Sequence, residues 1–206
     1  MTIPSEVLDS AAADPASPAW DHIWQESCHQ GTCDPASVVL LPWLAQTCAA
    51  FIPENRENAV VLAGSIAVDA SDTDRAAYAD EITGALALDR LPCASNDSMF
   101  VYLQQAVLAF EGDEIWGKEL DRINDGEVDV ECPECEEELL LDLPSEDPPI
   151  QPGLSSDLAV RLHAEALQAG RESVATAFTY LFGRLNCPNC GTGFELAEHL
   201  AGVSYQ

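Results

Sequence analysis

Cys132-Pro-Glu-Cys135 and Cys187-Pro-Asn-Cys190-Gly191 are the two stretches on which the reading of this chain turns. In each, two residues separate a pair of cysteines and proline follows the first. That spacing makes a knuckle in which both side chains reach one point. Two knuckles supply four thiolates, the soft donor set that suits a closed tetrahedral shell around a single Zn2+. Gly191 gives the second knuckle a permissive backbone beside its sulfurs, whereas the first has Glu136 there. The candidate metal ligands are therefore Cys132, Cys135, Cys187 and Cys190. A four-sulfur shell leaves no position open for water, which points to a structural ion and away from metal catalysis.

Outward from the first pair, Glu127-Val-Asp-Val-Glu131 alternates polar and apolar residues, and Leu139-Leu-Leu-Asp-Leu143 follows the second cysteine. This is the pattern of a β-hairpin turning on the knuckle. The alternative, a redox Cys-x-x-Cys, requires the pair at a helix N-terminus in a βαβ setting, and strand-like text flanks both pairs here. The segments 127–143 and 185–196 resemble the two halves of a zinc ribbon. The 51 residues between Cys135 and Cys187 exceed ordinary ribbon spacing. They contain a proline-rich loop at 144–153 and two amphipathic stretches at 155–169 and 171–185, parted by Gly170. The expectation over 126–206 is thus a split zinc ribbon with an inserted helical hairpin, 155–185.

Before this region the chain reads as helix after helix. Residues 1–16 read as a flexible acidic tail. Beyond them, helices are expected at 19–29, 35–51, 56–69, 73–90, 96–110 and 114–124. Ser17-Pro18 and Asp34-Pro35 each set a capping side chain before a proline at the first helical position. Ser71-Asp-Thr-Asp74 resembles a capping box with Asp replacing Glu. Met99, Leu103, Ala106 and Phe110 share one helical face. Residues 38–44 are apolar nearly all round, so the helix over 35–51 should be central, with Pro42 kinking its interior. Six helices form three pairs of about forty residues, a period suited to a HEAT-like solenoid over 17–125. A compact irregular bundle is the competing arrangement. The expected fold class is mainly α, with a small β zinc-ribbon element.

Charge is the outlier of the composition. Eight basic residues face thirty-six acidic ones, for a formal net charge of −28 in 206 residues. Phosphates would be repelled, so neither nucleic acid nor an anionic membrane is expected as a direct partner; a protein with a basic face is. Sixteen of the acidic residues lie between Glu111 and Asp147, where only Lys118 and Arg122 offset them. The N-terminal residues lack a basic and then apolar signal pattern, and no apolar run approaches a membrane span, so a cytoplasmic protein with reduced thiols is expected. Cys28, Cys33, Cys48 and Cys93 then read as small buried hydrophobes. A second metal site from His22, Cys28, His29 and Cys33 matches no strong ligand spacing.

Trp24-x3-Cys28-His-Gln-Gly-Thr, followed by Pro35-Ala-Ser and Leu41-Pro-Trp-Leu, resembles HEAT-like helical repeat proteins of actinobacterial type that carry an HQGT turn. The resemblance covers about residues 20–70 and implies an interaction scaffold, with no catalytic residues to carry over. From the residues alone, Gly31 suits the left-handed position that ends a helix, and His29 could bond the last carbonyls. Three function classes follow. The leading one is a non-enzymatic, zinc-stabilised, acidic protein-interaction module of immunity, adaptor or regulatory type. The second is a DNA mimic, which requires two exposed rows of carboxylates; the helix over 73–90, with Asp74, Asp80, Glu81 and Asp89, supplies them poorly. The third is an enzyme with its site in the helical groove, although no phosphate loop, nucleophile elbow or HExxH motif is present.

Overall fold

A computed structural model describes residues 3–86 and 94–202. The chain divides into two compact units, Met1–Leu120 and Asp121–Gln206. It is mainly helical, with small two-stranded antiparallel sheets.

The first unit begins with α1 (Ser5–Ala13) and α2 (Ala19–Ser27), which pack together. Residues 1–16, expected to be a flexible tail, therefore carry a helix. Its alanines cost little side-chain entropy, Ala11 is fully buried, and Ser10 Oγ bonds Ser17 Oγ at 2.9 Å. After α2 comes a short hairpin of β1 (Cys28–His29) and β2 (Thr32–Cys33). The expected helix over 35–51 is two elements, a 3₁₀ turn Pro35–Leu40 and α3 (Leu41–Ala50). Pro42 does not kink a helix interior. It sits in the first turn of α3, where its missing N–H costs nothing. Val39 is 62% exposed, so this stretch is not buried all round.

The central elements are instead α4 (Glu57–Asp69) and, after α5 (Asp72–Ala77) and α6 (Ala79–Leu86), α7 (Asp97–Glu111). Gly64 and Ala106 let α4 and α7 meet closely: a Cβ on Gly64 would lie 2.6 Å from the Cα of Ala106. Leu62 and Ile66 of α4 and Phe100 and Leu108 of α7 are fully buried. The helix expected over 73–90 is broken at Tyr78, and its last residues, 87–90, fall outside the described ones. Its cap forms as expected, Ser71 Oγ accepting the Asp74 N–H and donating to Asp74 Oδ2 at 2.6 Å. Arg75 ties this layer together. Its guanidinium donates to the carbonyls of Ala67 (2.5 Å), Ala109 (3.1 Å) and Phe110 (3.2 Å), in the last turns of α4 and α7. The short α8 (Trp116–Glu119) begins under the Asp113 carboxylate, which accepts the Trp116 N–H at 2.8 Å. A 3₁₀ turn, Leu120–Asn124, follows.

In the second unit, β3 (Glu127–Glu131) pairs with β4 (Glu138–Asp142), and later β5 (Arg184–Asn186) pairs with β6 (Gly193–Glu195). Between them lie α9 (Asp157–Gln168) and α10 (Glu172–Leu181), packed on each other. This is the helical insert expected between the knuckles, with α10 ending before β5 begins. Ser156 caps α9 by accepting the Ala159 N–H at 3.1 Å. Each strand pair buries one face, Val128, Val130 and Leu141 in the first, Leu185 and Phe194 in the second. Leu162, Phe178 and Leu181 from the helices are buried as well. Gln151 and Arg184 exchange backbone bonds of 2.8 and 2.9 Å, so β5 has a second neighbour on its other edge. Likewise Glu131 N–H donates to His199 O and Ala201 N–H to Asp129 O, which covers the free edge of β3.

Candidate metal centre and the acidic hairpin

The two knuckles repeat one backbone design. In the first, Cys132 O accepts the Glu136 N–H at 3.0 Å and the Cys132 N–H donates to Glu137 O at 3.0 Å. In the second, Cys187 O accepts the Gly191 N–H and the Cys187 N–H donates to Thr192 O, both at 2.8 Å. The residue after each second cysteine is left-handed, Glu136 at φ 56° and Gly191 at φ 79°. Glycine takes that conformation freely. Glu136 takes it at a cost because its Cβ crowds the backbone. Each knuckle is the turn of a strand pair, β3–β4 for one and β5–β6 for the other.

Placed this way, all four sulfurs converge within 4.8 Å of one another. Cys132 Sγ lies 3.6 Å from Cys190 Sγ, and Cys135 Sγ 3.7 Å from Cys187 Sγ, so each contact joins one knuckle to the other. A tetrahedron with metal–sulfur bonds of about 2.3 Å has edges of about 3.8 Å, and the cluster fits that size. Cys132 and Cys187 are buried, Cys135 is half-buried and Cys190 is exposed. Asn189 Nδ2 reaches Cys135 Sγ at 3.6 Å and Glu137 Oε2 at 3.5 Å, a side chain of one knuckle bridging to the other.

Cys190 and Cys135 are shifted in opposite directions. The Thr192 hydroxyl and backbone N–H hold the Cys190 thiol down, at about 6. The backbone at Glu137 favours the Cys135 thiolate. Desolvation and the hydrogen bonds of Cys190, Cys132 and Cys187 outweigh it, and Cys135 is pushed up to about 12. Without a cation the site therefore favours the Cys190 thiolate and disfavours that of Cys135. A divalent ion removes that conflict, and the sulfurs can hold one.

Among the described residues this is the sole grouping of His, Cys, Asp or Glu placed to hold a metal ion. The second set considered, His22, Cys28, His29 and Cys33, is not one. Cys28 and Cys33 are bonded to each other as a disulfide, and both histidines are exposed. This also corrects the expectation that every thiol stays reduced. Cys48 is buried as expected, and Cys93 lies outside the described residues. The HQGT segment does not end a helix. It is a two-residue hairpin turn in which Gln30 (φ 51°) and Gly31 (φ 78°) are both left-handed, with Cys28 directly opposite Cys33. Sequence reasoning missed it although the signal was present: a glycine in a two-residue turn between cysteines five apart.

The β3–β4 pairing also sorts the acidic residues. Val128, Val130, Leu139 and Leu141 share one face; Glu127, Asp129, Glu131, Glu138, Leu140 and Asp142 share the other, all six exposed. In register, Glu127 opposes Asp142, Asp129 opposes Leu140, and Glu131 opposes Glu138. Two of the three outward pairs thus set like charges directly across the ladder, an arrangement that weakens a sheet. Leu140 stands 64% exposed among the carboxylates. No described helix is long and apolar enough to cross a membrane. No known protein family, curated protein or solved structure matches this chain.

Proposed function

We propose that the protein is a non-enzymatic, strongly acidic interaction module in which one Zn2+ clamps the second unit and the outer face of β3–β4 docks a partner with a basic face. The observation that carries this reading is the outward ladder of five carboxylates around an exposed leucine. A sheet gains nothing in its own stability from like charges set opposite each other, and a cationic partner relieves the repulsion. Leu140 adds an apolar anchor at the centre of that face. Zinc is favoured over other divalent ions by four thiolate donors at tetrahedral spacing, and it fixes the turn end of the ladder by tying Cys132 and Cys135 to Cys187 and Cys190. In the first unit, α7 packs on α8, one of the three helix pairs expected of a HEAT-like scaffold, and this together with the HQGT resemblance supports that reading.

The DNA-mimic reading draws support from the same ladder, which has two rows. Successive carboxylates in a row stand about 6.8 Å apart, two strand residues on. Leu140 interrupts one of those rows, and this favours a protein partner. The two readings separate in one experiment. Full-length protein and a variant with Glu127→Gln, Asp129→Asn, Glu131→Gln, Glu138→Gln and Asp142→Asn are immobilised and exposed to native lysate. The proposal expects capture of a basic protein that is released by salt and lost in the variant, with Leu140→Ser also weakening it. Capture unchanged by the five substitutions contradicts the proposal. A captured partner that binds DNA, and is displaced by DNA in competition, selects the mimic.

A further inference from the structure

The Cys28–Cys33 disulfide has no part in that reading, and four of its surroundings point the same way. Its ring spans only six residues, a sequence separation of 5. Closing so short a loop shifts the folding equilibrium by about 40-fold on the chain-entropy account, at the low end of what a disulfide contributes. The ring is also accessible. His29, Gln30, Gly31 and Thr32 are all exposed, and Cys28 is half-buried while Cys33 is 4% exposed.

Both cysteines are anchored by bonds that do not involve the disulfide. The Cys28 N–H donates to Trp24 O at the end of α2. On the other strand, the Cys33 N–H donates to Asp69 Oδ2 at 2.7 Å, and Asp69 is itself held by an ion pair with Lys118. The base of the hairpin is closed by the Asp34 N–H to Ser27 O at 2.8 Å and by Ser37 Oγ to the same carbonyl at 3.1 Å. Breaking the S–S bond therefore leaves two thiols still facing each other, ready to re-form it. Finally, the turn at the tip of the ring holds Gln30 in the left-handed region, which L side chains seldom adopt.

From this geometry we propose that the Cys28–Cys33 pair is a reversible thiol–disulfide exchange site whose co-substrate is a dithiol. A thiolate of the dithiol attacks Sγ of Cys28, the less buried of the two residues, and forms a mixed disulfide. The Cys28–Cys33 bond breaks and Cys33 leaves as a thiolate, which takes up a proton. The second thiol of the reductant then displaces Cys28, which is protonated in turn. The protein gains two electrons and two protons; the dithiol loses them and departs as its own disulfide. The reverse sequence restores the ring. Exchange removes the covalent tie across the hairpin while α2 and Asp69 keep its two stems in place.

The test uses the full-length, metal-loaded protein without denaturant. It is equilibrated with mixtures of reduced and oxidised dithiothreitol, quenched in acid, and alkylated with two mass labels before and after complete reduction. Peptide mapping separates Cys28 and Cys33 from the cysteines of the metal centre. The expected result is that both cysteines of the pair take the first label together as the mixture becomes reducing. Far-UV circular dichroism stays unchanged, and the pair loses the label when oxidised dithiothreitol is added. In addition, Cys33→Ser should accumulate a mixed disulfide at Cys28 with oxidised glutathione, whereas Cys28→Ser leaves buried Cys33 unmodified. The proposal is overturned if the pair is reduced only where helicity is lost, if it fails to re-form in the native protein, or if Cys33 rather than Cys28 takes up glutathione.

Discussion

Replacing Arg75 by alanine should destabilise the first unit by about 2–4 kcal/mol. Arg75 donates to three carbonyls, Ala67 O from α4 and Ala109 O and Phe110 O from α7, and so places one positive charge at the negative ends of two helices. Hydrogen bonds from a charged donor contribute about 1.5–3 kcal/mol each when desolvated, and a helix-terminal cation adds about 0.3–1 kcal/mol. Arg75 is only half-buried, so water takes over part of each bond after truncation, which brings the sum to the stated range. That is a large share of a typical net stability of about 5–15 kcal/mol. The assay is urea denaturation followed by tryptophan emission. Trp20, Trp24, Trp43 and Trp116 all lie before residue 121, so the signal reports the first unit alone. Lysine at this position keeps the charge but lacks the planar fork that reaches two helices at once, and Arg75→Lys should fall between wild type and alanine. An Arg75→Ala variant within about 0.5 kcal/mol of wild type would refute the reasoning, because that is the range of an ordinary surface substitution.

Two further outcomes follow from the metal centre. Chelation, or Cys187→Ser, should unfold the second unit first: far-UV circular dichroism falls while tryptophan emission holds, since on the proposed reading a metal closes a segment rich in mutually repelling carboxylates. Glu136→Gly should raise the stability of the metal-loaded second unit by up to about 1 kcal/mol, because glycine adopts the left-handed turn without steric cost, as Gly191 does in the other knuckle; a lower midpoint in thermal denaturation would contradict this.

The knuckles were legible because their information is local. Two residues between cysteines fix the turn, and the alternation around Val128 and Val130 fixes which face is buried. The cap at Ser71 was legible too, its hydroxyl accepting the Asp74 N–H where the helix starts. The failures arise where one residue type suits two structures. A glycine such as Gly31 serves both as a helix stop and in a two-residue hairpin, and the facing of Cys28 and Cys33 decides between them only in three dimensions. Pro42 can kink a helix or begin one, and the 3₁₀ turn before it settles the matter. In α1 a single buried alanine and a hydroxyl pair anchor what composition reads as tail. The order of packing is likewise non-local: Gly64 makes α4 the partner of α7, forty residues on, and nothing in its own segment announces Ala106.

The most direct test of the central claim is the metal content of purified full-length protein, measured together with native thiol accessibility. One zinc per chain should be found, with Cys132, Cys135, Cys187 and Cys190 protected from alkylation until a chelator is added and then modified together. Absence of stoichiometric zinc, or the recovery of these four cysteines as disulfides, would contradict it.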